Sequence, residues 1–211
     1  LRAEVVSIGG EITTTQSVVD QTFKIDTITG LSAWYSAQDM NGDNVEDLGQ
    51  VLSNGDVVSE WRDGSGKQRN MLSTSGNPRF YTSALKGKPV LSFDGGDMMW
   101  GETNFDFLTN TGYSMVSIAR YTGGANNRVI SSRTRNWLFG FHAGSTSRWY
   151  AEGGIHWGAG MDTNWNLHVG IIEAKGGDPR ASFWKNTEEL RSNSRGSNNM
   201  NFGPGVLQFG G

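Results

Sequence analysis

Cysteine is absent from the 211 residues, which excludes disulfide staples and thiolate metal centres and leaves the compartment open. Proline is scarce: four residues against thirty glycines, a balance that excludes collagen-like chains and points to many turns and bulges between short strands. No run is apolar enough to cross a bilayer, so no membrane span is expected, and a signal peptide ahead of Leu1 is not expected either. Charge of one sign is also missing. The net charge is −3 with both signs interspersed, so there is no basic footprint for a phosphate backbone, and nucleic acid is not expected as a partner. Because the first residue is not Met, the chain is expected to be a portion of something longer.

What is abundant is aromatic. Eight tryptophans and ten phenylalanines supply enough apolar surface for one core, and the length suits a single all-β domain. Short β-type runs recur over Tyr113 to Tyr121, Arg128 to Ser132, Trp137 to His142, Arg148 to Ala151, Leu167 to Ala174 and Ala181 to Lys185. Turn clusters such as Gly123-Gly124-Ala125-Asn126-Asn127 and His142-Ala143-Gly144-Ser145 separate them, the rhythm of an antiparallel sandwich. Two earlier runs, Glu4 to Ile8 and Gln21 to Ile25, read as strands of a leading arm, residues 1–29, ahead of a domain over 30–211. Alternation assigns Trp137, Phe139 and Phe141 to the core and His142 to the outside; it sets His168, Gly170 and Ile172 against Leu167, Val169 and Ile171, with His168 expected on an open face.

Three phrases, Leu31 to Ala37, Val58 to Lys67 and Val90 to Asp97, each pair an aromatic residue expected to be buried (Trp34, Trp61, Phe93) with turn residues. A fourth, Phe183 to Leu190 followed by Gly203 to Gly211, has the form of a late hairpin turning at Asn186-Thr187. Together they resemble laminin G-like, concanavalin A-type modules, which implies an all-β, antiparallel jelly roll β-sandwich. The resemblance also implies a further strand after Gly211. A vacant strand position is therefore expected, filled by the leading arm, by a neighbouring chain through strand exchange, or by a continuation.

That scaffold hosts lectins, glycanases, lyases and adhesion modules alike. A retaining glycanase needs two carboxylates about 5 to 5.5 Å apart, usually carried as Glu-x-Asp-x-x-Glu, and no such string is present. Glu188-Glu189-Leu190-Arg191 and Gly154-Ile155-His156 are similar to lyase segments, but the matching Lys/Tyr strand has no counterpart. The three histidines have no Ser or Cys partner in triad form. The expectation is a protein that is not an enzyme.

Two groups carry binding chemistry. Asp39, Asn41, Asp43 and Asp47, with the Val45 carbonyl, space oxygen donors as calcium loops do, with Asn44 and Gln50 departing from the EF-hand pattern; calcium is the expected ion, a solvated acidic turn the alternative. Arg148, Trp149, Tyr150, His156 and Trp157, with Trp165 nearby, join rings that stack on sugars to groups that hydrogen-bond hydroxyls, though rings in this stretch also suit the core. The reading is a recognition module for carbohydrate or a protein surface. The alternative is a structural or decoration component of a larger viral or cell-surface assembly. Either reading places it outside a cell, at a cell surface or on a virion.

Overall fold

The computed structural model describes residues 27–47, 51–122, 127–174, 180–194 and 203–211. The expected arm strands Glu4 to Ile8 and Gln21 to Ile25, and Gln50, lie outside the described residues. Among the described residues fourteen strands follow in order: β1 Glu60–Trp61, β2 Met71–Ser75, β3 Arg79–Leu85, β4 Lys88–Ser92, β5 Met98–Asn104, β6 Tyr113–Ala119 and β7 Ile130–Ser132, then β8 Trp137–His142, β9 Ser145–Ala151, β10 Gly154–Trp157, β11 Asn166–Ile172, β12 Arg180–Lys185, β13 Glu188–Ser194 and β14 Val206–Gly210. Among the described residues there is no α-helix; a 3-10 turn spans Phe105–Leu108, and no helix is long and apolar enough to cross a membrane.

Every strand pairing is antiparallel. Eight strands form one sheet in the order β1-β2-β5-β14-β7-β8-β9-β10, four form a second in the order β13-β12-β11-β6, and β3 and β4 form a two-stranded sheet. The last strand is therefore central in the large sheet, held between β5 and β7, whereas β6 stands at an end of the small one.

The two sheets meet through aromatic rings. Phe139 of β8 and Trp149 of β9 lie 5.5 and 5.6 Å from Phe183 of β12, and all three are fully buried. Each such side chain contributes roughly 1.5–3 kcal/mol by leaving water. Close approach depends on Gly170 of β11: a Cβ there would sit 2.6 Å from the Phe139 ring and 2.7 Å from Trp149. Trp137, Phe139 and Phe141 are all buried, as alternation requires. Asn186 turns the β12–β13 hairpin with φ of 55°, a backbone state that Asn tolerates.

The first two of the quoted phrases come together around one carboxylate. Asp63, 5% exposed, accepts the N–H groups of Trp34, Ser65 and Arg69 and the Ser65 hydroxyl. Tyr35, Trp61 and Phe209 then pack as a ring trio 5.4 to 5.8 Å apart, which ties the start of the described chain to its last strand. Two expectations fail here. Trp34 is 37% exposed, because its backbone and not its ring is held by the Asp63 turn. His168 is fully buried between the sheets, because β11 places it on the same inward face as Gly170.

Candidate recognition face

Directly paired residues share a face of a sheet, so the ladder can be followed strand by strand. One row runs Ser73, Met99, Phe209, Ile130, Phe139, Trp149, His156, and it faces the small sheet. The adjacent row runs Glu60, Leu72, Trp100, Gln208, Ser131, Leu138, Tyr150, Gly154 across all eight strands, and it faces away. Ser131 and Leu138 in its middle are almost inaccessible, with Trp100 and Gln208 on one side and Tyr150 on the other.

The expected sugar-binding residues divide between these faces. Trp157 is 59% exposed, Tyr150 meets it edge-on at 5.7 Å, and the Arg148 guanidinium lies 5.2 Å from its ring centre. Arg148 and Trp157 are themselves paired across β9 and β10. A large ring thus stands in water with both flanks supported, the arrangement a planar sugar face stacks on. Trp149 does not belong to this group. It sits one residue out of phase, on the inward row, and is core. His156 is likewise inward and half-buried, 5.7 Å from the Phe183 ring. Burial, helped by the positive charge of Arg191 and opposed by Glu188, lowers its pKa. Trp165 is half-buried and packs with the Arg120 guanidinium at 4.7 Å. A second supported ring went unforeseen: Trp100, on the same outward row as Tyr150, carries the Arg133 guanidinium 4.0 Å from its centre. Its signal is the alternation Met98-Trp100-Glu102, legible once β5 is recognised as a strand.

The acidic loop is ordered by its own backbone. Asp39 accepts the N–H groups of Asp43 and Asn44 at 3.1 and 2.9 Å, Asn41 accepts Asp43 N–H at 3.0 Å, Asp43 accepts Val45 N–H at 2.8 Å, and Asp47 accepts Met40 N–H at 2.5 Å. The donor set is of hard oxygens, which suits calcium in kind. Among the described residues, however, no three acidic or histidine side chains converge as they would around an ion. Each carboxylate oxygen keeps a second lone pair beyond these bonds.

A polar knot closes one end of the sandwich. Asp162, between β10 and β11, accepts bonds from Lys185 Nζ at 2.7 Å, Thr146 Oγ1 at 3.0 Å, Asn166 Nδ2 at 3.0 Å and Asn164 N–H at 2.9 Å. Burial pushes its carboxyl up, but those donors outweigh it and hold the group well below the usual carboxylate range. His168 stands 2.8 Å through Nε2 from the Thr146 carbonyl, which fixes Nε2 as the protonated nitrogen, and burial lowers its pKa to about 4. Thr146 and His168 are both fully buried, while the Asp162–Lys185 pair is partly exposed, so the knot fastens β9 to β11 and β12 from the core out to its rim.

No family model matches the chain, and neither does any curated protein or solved structure. The outward face of the large sheet carries a supported, exposed aromatic platform beside guanidinium groups. Such a surface stacks and hydrogen-bonds.

Proposed function

We propose that the chain is a non-catalytic recognition module of the laminin G-like, concanavalin A-type jelly roll kind, binding carbohydrate on the outward face of its large sheet. One observation carries this reading: Trp157 is held in solvent between Tyr150 and Arg148. Apolar ring faces on sugars cover Trp157, while Arg148 and the Tyr150 hydroxyl meet sugar hydroxyls. Pull-down on insoluble polysaccharides tests it. Saturable retention that soluble sugar competes away is expected, and no retention on any polysaccharide contradicts it. The Asp39–Asp47 loop is proposed to take one calcium ion through Asp39, Asn41, Asp43, the Val45 carbonyl and Asp47, as a structural support away from the sugar.

A second reading, a building block of a larger viral or cell-surface assembly, is favoured by the other side of the molecule. The outward face of the small sheet exposes Val116, Ile118, Leu167 and Ile171, in register with half-buried Val169 and Trp184. Contiguous apolar surface of this kind marks contact sites.

A further inference from the structure

The knot that ties β9 to β11 and β12 gathers an ammonium, a carboxylate and a primary amide around one point. Lys185 Nζ donates to Asp162 Oδ2 at 2.7 Å and Asn166 Nδ2 donates to Asp162 Oδ1 at 3.0 Å, so the amine and the amide occupy the two oxygens of a single carboxylate. The strand register brings them together. Lys185 pairs with His168, two residues along β11 from Asn166, which makes Lys185 and Asn166 diagonal neighbours on one face, a separation that a long side chain spans. We propose that Lys185 and Asn166 join in an intramolecular amide crosslink, with Asp162 as the group that moves the proton.

Asn166 is oriented for attack. Its Nδ2 donates to Asp162 Oδ1 and to the Asn164 carbonyl, at 3.0 Å each, and its Oδ1 accepts a bond from Asn186 Nδ2 at 3.3 Å. The leaving nitrogen therefore faces the carboxylate, and the carbonyl oxygen faces a donor. Through their 2.7 Å bond Lys185 passes a proton to Asp162 and becomes a neutral amine. Its lone pair forms the bond from Nζ to Cγ while the carbonyl electron pair moves onto Oδ1, beside Asn186 Nδ2. Asp162 then gives its proton to Nδ2 and takes one from Nζ, the bond from Cγ to Nδ2 breaks and the carbonyl re-forms. Ammonia leaves, and with the proton that Lys185 first gave up it becomes ammonium; nothing is oxidised or reduced and no co-reactant enters. The donors that hold Asp162 ionised make the first transfer uphill and the reaction slow, which a step taken once per molecule tolerates. Asn166 is 1% exposed, which keeps water from competing for Cγ, whereas the Lys185 and Asp162 side chains are 19% and 29% exposed and leave ammonia a way out. In a chain without cysteine, such a bond restrains the unfolded chain as a disulfide does, independently of redox conditions.

Tryptic mapping of the full chain by mass spectrometry tests the bond. Trypsin does not cut after an acylated lysine, so the crosslink joins residues 149–175 to residues 181–191 in one branched peptide, lighter by one ammonia than the two separate peptides together. That branched peptide is expected from the native protein and absent from Lys185→Arg. Asp162→Asn keeps the shape of the carboxylate but cannot take the proton, and it should leave the two peptides separate. Should either variant fail to fold, the map of the native protein decides by itself. Native protein cut normally after Lys185, with the two segments recovered only as linear peptides, would overturn the proposal. So would a branched peptide lighter by one water, the mark of a bond to Asp162, or a loss of ammonia confined to Asn41-Gly42, the mark of ring closure within the backbone there. Crosslinking that persists undiminished in Asp162→Asn would remove Asp162 from the reaction.

Discussion

Gly170 decides how closely the two sheets approach, because any Cβ there enters the rings of Phe139 and Trp149. Gly170→Ala should overpack the interface and cost about 1–3 kcal/mol, read as a lower denaturation midpoint; an unchanged midpoint would mean the sheets separate without strain. His168 adds a pH dependence. Its folded pKa of about 4 lies below the ordinary value near 6.5, so the unfolded chain binds the proton more tightly. Stability attributable to His168 is therefore full above about pH 6.5 and falls as the pH drops towards 4. The loss amounts to about 3 kcal/mol at 1.36 kcal/mol per unit. Denaturant titrations at pH 7, 5 and 4 should show that slope in the native protein and a flatter one in His168→Gln. Equal slopes would remove His168 as the cause. His156, also lowered and only half-buried, adds in the same direction.

At the scale of elements, the alternation of β8 and the turn at Asn186 were legible because both rest on local rules, period two and the left-handed tolerance of Asn. Faces were not legible where the partner sheet decides them. Alternation rightly grouped His168 with Gly170 and Ile172, but only the rings of Phe139 and Trp149 above Gly170 show that this side is inward. Arg148, Trp149 and Tyr150 read as one cluster along the chain, yet a strand sends the middle residue to the opposite face. Val116 and Ile118 point outward because β6 turns Tyr113, Met115 and Ala119 to the inner face, a choice of side that the partner sheet makes and period two alone does not. The acidic loop has its own test. If calcium binds the native loop alone, a concentration one hundred times the dissociation constant adds about 2.7 kcal/mol. The melting temperature should rise with calcium, and Asp43→Ala should abolish the rise; identical melting in calcium and chelator would leave the loop as a turn held by its backbone bonds.

For the whole molecule, the two sheets give two outward surfaces of different character: rings propped by guanidinium groups on the large sheet, aliphatic side chains on the small one. The first is proposed to meet sugar and the second to carry protein contacts, so one domain would hold ligand on one side and be mounted by the other. The claim that matters most is the sugar face. A glycan array probed side by side with the native protein and Trp157→Ala measures it directly. The native protein should bind one class of glycan saturably, and Trp157→Ala should lose about tenfold or more in affinity, as central aromatic anchors do, while melting at the same temperature. Binding to no glycan, or equal binding by Trp157→Ala, would contradict the account.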